Sequence, residues 1–206
     1  MKRKRQTDGK RLLCTTGAAL VLATLLAGNA GAQTVTGTVA VSGFVAPRCG
    51  ATYAGSSSFS GLIELGELSA PGGTLSPVFT GSSASNPAGS TIFLVGCNQG
   101  ASSVTLSATR LSNATPIGDP SASDDIDFTA QAKISLSAGG FSYVDYTTAE
   151  TLPTPTTSTI QGTFANVASG NFEVRVFGFA AEMGATSILV AGAYTSTISI
   201  TVTPAS

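Results

Sequence analysis

The stretch "TVTGTVAVSG" at residues 34–43 carries the most informative pattern in the chain. Thr, Ala and Ser alternate there with a second set of residues, which are Val35, Gly37, Val39 and Val41. This period of two is typical of a β-strand with one apolar face. A single strand cannot bury such a face by itself, so another surface has to cover it.

The residues before this stretch have the pattern of a secretory signal peptide. The first eleven residues contain six basic side chains, an apolar run continues to Gly28, and Ala30 and Ala32 form an A-x-A cleavage signal. The alternative is a retained membrane anchor. It is disfavoured because a span needs about 20 apolar residues, and this run is shorter and contains Thr and Gly. We therefore expect residues 1–32 to be removed on export.

The charge of the remaining chain excludes one class of partner. Ten acidic residues stand against four basic ones, a formal charge of −6, and the basic residues are Arg48, Arg110, Lys133 and Arg175. A nucleic-acid-binding protein needs a clustered basic surface to neutralise phosphates. Four scattered cations do not supply that surface, so we expect no nucleic-acid partner.

Two cysteines remain after the leader, Cys49 and Cys97. An even pair in an exported chain is most simply a disulfide. The alternative, a two-cysteine metal or redox site, lacks any histidine partner and any C-x-x-C spacing. The sequence therefore predicts a Cys49–Cys97 bridge, and neither a metal nor a cofactor.

The composition favours an all-β chain of short strands and polar turns, because Ser, Thr, Gly, Ala and Val dominate. A series of short strands separated by polar turns suggests an immunoglobulin-type β-sandwich. We expect "GLIELGEL" to be a strand with Leu62 and Leu65 inward, and "STIFLVGC" to be a strand buried on both faces. We expect residues 151–163 to form a loop or an irregular sheet edge. The other predicted strands lead to Cys49 or cover 102–109, 126–138, 141–148, 171–180 and 194–203.

The final stretch of the chain, like the first, has an apolar face that another surface has to cover. Its apolar residues fall in step against Thr and Ser, and they are Tyr194, Ile198, Ile200 and Val202. Only three residues follow this predicted strand, so a further strand beside it would have to come from elsewhere. An exposed apolar sheet edge is an aggregation hazard that natural proteins cover.

Four segments together resemble a known family. They are "VTGTVAVSGFVAPRCG" (35–50), "IELGEL" (63–68), "FLVGC" (93–97) and "GAYTSTISITVTP" (192–204). Their order and spacing are similar to those in subunits of archaic chaperone–usher pili and in the related spore coat protein U domain family. The resemblance spans most of residues 33–204.

The resemblance implies a fold and a mode of assembly. It implies an incomplete immunoglobulin-like sandwich over residues 44–206, with six strands and an apolar groove where the seventh would lie. Residues 33–43 would be a donor-strand extension that fills the groove of the next subunit. Within this donor strand Val35, Val39 and Val41 would insert their side chains, and Gly37 would meet the place where the groove is too shallow for one. The acceptor-groove strand would carry Tyr194, Ile198, Ile200 and Val202.

The implied partners follow from that assembly. A periplasmic chaperone would fill the groove first. At an outer-membrane usher the extension of the next subunit would then replace the chaperone, and neighbouring subunits would polymerise in this way. The chain would pass through the periplasm to a fimbria at the cell surface.

No residue pattern indicates catalysis or a small-molecule substrate, because histidine is absent and no serine has a plausible base. Glu64 and Glu67 could form a glycosidase-type acid pair, but we expect them to face water. Four acids could bind calcium, although a solvated loop is the simpler interpretation; they are Asp119, Asp124, Asp125 and Asp127. "NAT" at Asn113 is a glycosylation sequon, which has no role in a bacterial exported subunit.

The leading hypothesis is therefore a non-enzymatic pilus or fimbrial subunit. One alternative is a spore- or cell-coat protein of the coat protein U type, which would use the same domain in an outer layer. The other is a carbohydrate-binding adhesin, for which about 174 residues leave no room for an additional binding domain.

Overall fold

A computed structural model describes residues 38, 40–51, 56–149 and 154–205. The chain divides into two units, Met1–Gly43 and Phe44–Ser206. The predicted leader lies outside the described residues, as do Val35, Gly37 and Val39, whereas Val41 is described. Among the described residues, no helix is long and apolar enough to span a membrane.

The second unit is an all-β domain, which confirms the predicted fold class. Its described residues form thirteen strands and one short helix. In chain order these are β1 (Cys49–Ala51), α1 (Pro77–Thr80), β2 (Gly89–Phe93), β3 (Val95–Cys97), β4 (Ala101–Ala108), β5 (Leu111–Asn113), β6 (Ala122–Ser123), β7 (Asp125–Ser135), β8 (Phe141–Thr147), β9 (Thr156–Gln161), β10 (Phe172–Ala181), β11 (Ile188–Leu189), β12 (Tyr194–Thr195) and β13 (Ile198–Pro204).

Two larger sheets surround one hydrophobic core. The first has the strand order β12-β5-β7-β10-β2, with β8 also paired to β7, and the second has the order β13-β4-β9. All ladders in these two sheets are antiparallel. Two short ladders complete the domain, β1 with β3 and, in parallel, β6 with β11.

The period-two pattern places alternate side chains of both sheets in the core. Val104 and Leu106 of β4 are fully buried, as are Phe128 of β7 and Phe172 of β10. Apolar burial of this kind is the main force that holds two sheet faces together.

The predicted disulfide is present. Cys49 and Cys97 are bonded and lie directly opposite each other in the β1–β3 ladder, with their Cα atoms 4.1 Å apart. The bridge therefore ties the first strand of the domain to the end of a chain segment 48 residues further on.

The segment predicted as one strand at 90–97 changes partners at Leu94. Its first part, β2, pairs with β10, and its last part, β3, pairs with β1. Asn171 stabilises this change: its Oδ1 accepts a hydrogen bond from the Val95 N–H at 2.8 Å, and its Nδ2 donates to the Val95 carbonyl at 2.7 Å. The expectation of burial on both faces is wrong, because Ile92 is exposed on the outer face of the first sheet.

The alternation over 171–180 holds only as far as a bulge. Phe172, Val174 and Val176 are buried, but the register with β7 shifts after Phe177, where Gly178 has a φ of +64°. A bulge inserts an extra residue, so Phe179 turns inward in place of Gly178. Its ring stacks on that of Phe128 with centroids 5.6 Å apart.

The described part of the proline-containing segment, residues 154–163, contains an edge strand, one of the two outcomes expected for 151–163. Strand β9 begins directly after Pro155 and pairs with β4. Proline cannot donate to a ladder, which explains why the strand starts where the prolines end.

We predict that loss of the disulfide destabilises the domain by about 4 kcal/mol, the chain-entropy value for a loop of this size. The double variant Cys49→Ser/Cys97→Ser should therefore show a lower urea midpoint with a larger m-value, because the denatured chain without the cross-link exposes more surface. Reduction of the unsubstituted protein should reproduce that shift. An unchanged midpoint in both experiments would contradict the prediction.

Candidate functional site

The most prominent feature of the domain is a groove of about 1360 Å³ that opens to solvent. This exceeds the usual 300–1,000 Å³ of a ligand pocket. Phe93, Phe128 and Val174 of the first sheet line it, as do β13 of the second sheet and β1 of the short β1–β3 ladder. The groove is an opening in the sandwich rather than a pocket on its surface.

The side chains of β13 are only half-buried, although their partners on β4 are fully buried. Ile200 lies opposite Leu106, and Val202 lies opposite Val104. Leu106 and Val104 have no exposed surface, whereas Ile200 and Val202 keep part of their surface open to the groove. Apolar surface is therefore left uncovered on one side of the last described strand.

The backbone of β13 has a free edge on the same side. Thr109 donates its N–H to the Thr197 carbonyl, and Ala205 donates to Ala101. Hydrogen-bonded and non-bonded pairs alternate in an antiparallel ladder, so the N–H and C=O groups of Ile198, Ile200 and Val202 point away from β4. Within the described residues β13 pairs with β4 alone.

Tyr194 belongs to a different strand from the other three predicted groove residues. It lies in β12, which pairs with β5 of the first sheet, and the chain changes sheets before β13 begins. Its hydroxyl donates to the carbonyl oxygens of Ser123 and Val190, both at 2.9 Å. All four predicted residues nevertheless line the same groove.

Residues 57–69, which we call the rim segment, form the opposite border of the groove. The predicted strand at 61–68 is wrong, because the described chain there has no ladder partner until Ser69. Leu62 is exposed, while Ile63 and Leu65 pack on the core. A Cβ on Gly89 would lie 2.5 Å from Ile63 Cγ2, so this glycine allows the rim segment to lie directly on β2.

The groove is lined by apolar side chains together with serine, threonine and glycine residues, and its rim is acidic. Glu64 and Glu67 are the only charged residues among its described lining residues. Both are exposed, as expected from the sequence. Hydrogen bonds from the Ser69 hydroxyl (2.6 Å) and the Ser69 N–H (3.1 Å) lower the pKa of the Glu67 carboxyl.

Of the predicted donor residues, the structure describes only Val41, and its side chain is 94% exposed. Two further apolar residues follow it, Phe44 at 88% and Val45 at 83% exposure. Just beyond them Asn98 fixes the chain: its Oδ1 accepts from the Arg48 N–H at 2.7 Å and its Nδ2 donates to the Ala46 carbonyl at 2.9 Å.

The four acids of the predicted calcium loop do not form one cluster. Asp127 pairs with Arg110 at 2.8 Å and accepts a hydrogen bond from Thr148. Asp119 accepts from the N–H and the hydroxyl of Ser121, which lower its pKa. Asp124 and Asp125 instead approach an acid that the sequence did not indicate, Glu182.

The asparagine of the sequon, Asn113, is not accessible in the folded chain. Its side chain is buried, its Nδ2 donates to the Val190 carbonyl at 2.9 Å, and its Oδ1 accepts from the Thr115 N–H. The Asn113 amide therefore connects two loops instead of presenting a glycosylation site.

No protein-family model, curated protein or solved structure matches this chain.

We predict that truncating the two members of one cross-strand pair has unequal costs. Leu106→Ala should lower the free energy of unfolding by about 2–5 kcal/mol, as expected for a fully buried leucine. Ile200→Ala should cost much less, because its side chain is already partly exposed to the groove. Urea denaturation of the two variants measures the difference, and equal losses would show that Ile200 is packed as fully as Leu106.

Proposed function

We propose that this protein is a structural subunit of a pilus-like surface polymer, assembled by strand exchange between copies. The observation that carries the proposal is the groove-facing side of β13, where an unpaired backbone edge coincides with half-buried side chains. A β-strand supplied from outside would satisfy both at once, since its backbone pairs with the edge and its alternate side chains fill the groove.

The N-terminal extension has the chemistry of that strand. Residues 35–41 and β13 each have seven residues, so in extended form both span about 20 Å. The valines of the extension occupy one face, as the groove requires. Burial of Val35, Val39 and Val41 would contribute about 1.5–3 kcal/mol each, in addition to the ladder of main-chain hydrogen bonds.

The proposed sandwich is of the immunoglobulin type and is completed by this donor strand. Because the donor and the acceptor groove are different surfaces of one chain, the contact between copies is head-to-tail. Such a contact does not close on itself and generates a fibre.

An open apolar groove also needs a temporary cover during export. An unpaired edge with apolar side chains pairs readily with other chains. A periplasmic chaperone that inserts its own strand, followed by exchange at an outer-membrane usher, provides that cover and releases the subunit only into the polymer. The acidic rim formed by Glu64 and Glu67 favours a chaperone surface with basic residues beside its inserted strand.

The proposal is tested with two variants, each of which places one carboxylate on a different face of the extension. Val39→Asp puts a carboxylate into the apolar groove and should lower the polymer yield more than tenfold, since an unpaired buried charge costs several kcal/mol. Thr38→Asp carries the same charge on the opposite face and should polymerise like the unsubstituted chain. Both are compared in cells that contain the chaperone and usher, by electron microscopy and by unheated denaturing gels.

Deletion of residues 33–41 completes the test. The truncated chain should remain a chaperone-bound monomer that still accepts the extension of an intact copy. Continued filament growth by the truncation alone, or by Val39→Asp, would refute the proposed function.

A further inference from the structure

A second, smaller cavity of about 450 Å³ adjoins the groove, and we call it the cup. Ile117 and Ile188 line it and are 60% and 55% exposed, an unusual degree for large apolar side chains at one site. Leu189, Val190 and Ala191 line both the cup and the groove. The two cavities therefore lie next to each other along residues 189–191.

The cup is held by a network of backbone bonds. Ile188 of β11 pairs with Ala122 of β6. Leu189 donates to the Gly73 carbonyl and Val190 donates to the Ser123 carbonyl. The apolar lining is thus fixed before any partner arrives, which reduces the entropy cost of binding.

The chain also carries exposed apolar residues directly after the proposed donor strand. Phe44 and Val45 follow Val41 by three and four residues and are almost fully exposed. Asn98 fixes the backbone only from Ala46 onward. Phe44 therefore lies exposed at the base of the extension, between Val41 and the fixed Ala46.

The direction of strand addition places Phe44 beside the cup of the next copy. Antiparallel pairing is the more stable arrangement, and the two larger sheets use it throughout. An antiparallel donor ends at the start of β13, near Tyr194 and Ile198, which is where the shared residues 189–191 connect the groove to the cup. Three residues of extended chain, about 10 Å, separate Phe44 from Val41.

We infer that the cup binds Phe44 of the copy whose extension fills the groove, forming a second contact between neighbouring subunits. This inference rests on the proposed function, because it needs the extension in the groove. The contact connects the rigid body of one copy to that of the next, whereas the donor strand alone leaves a flexible joint. Phe44 in the cup thus determines how stiff the filament is.

The absence of tryptophan from the chain provides a direct probe. In a Phe44→Trp variant the single indole should be exposed in the monomer, and in filaments its emission should move to shorter wavelength with weaker acrylamide quenching. Adding Ile188→Asp should leave filament yield intact and abolish that shift. Phe141→Trp, on the exposed outer face of β8, is the matched control and should show no shift.

A second measurement avoids the larger indole ring. Phe44→Ala filaments should assemble in normal yield but bend more strongly in electron micrographs, and Phe141→Ala filaments should not. Filaments in which the indole stays exposed, or Phe44→Ala filaments of unchanged stiffness, would overturn the inference while leaving strand exchange intact. Failure of the unsubstituted chain to polymerise would overturn both proposals.

Discussion

The account depends on the free edge of β13. Its N–H and C=O groups at Ile198, Ile200 and Val202 point away from β4, and the same residues hold their side chains half-buried above the core. Unpaired backbone groups are costly wherever water is excluded from them, and apolar surface is unfavourable as long as it faces water. Their coincidence along one strand defines the shape and chemistry of whatever completes the sheet, namely an extended segment with alternate apolar residues.

The rest of the domain keeps that edge open. The Cys49–Cys97 bridge holds β1, which lines the groove, on β3, and Gly89 lets the rim segment lie directly on β2. Asn171 stabilises the change of partner at Leu94 that brings β3 to β1. Tyr194, fixed by its bonds to Ser123 and Val190, occupies the end of the groove beside the cup.

The sequence predicts well where an interaction is local and less well where it depends on distant residues. Alternation is a local property, and it correctly indicates the strands at 102–109, 141–148 and 171–177. It fails at Gly178, because the bulge depends on pairing with β7, and at 61–68, because no strand among the described residues pairs with that segment. The disulfide is predictable from the two cysteines that follow the predicted leader, since histidine and a C-x-x-C spacing are both absent. The cup and the approach of Glu182 to Asp124 and Asp125 are not, because each joins segments far apart in sequence.

Amide hydrogen exchange in β13, compared between monomer and filament, tests the central claim most directly. Thr201 donates toward β4 and serves as the internal reference between its two neighbours. The account predicts that the amides of Ile200 and Val202 exchange rapidly in the monomer while that of Thr201 is protected, and that all three are protected in the filament. Slow exchange at Ile200 and Val202 in the monomer would show that the edge is already paired within one chain, which would contradict the account.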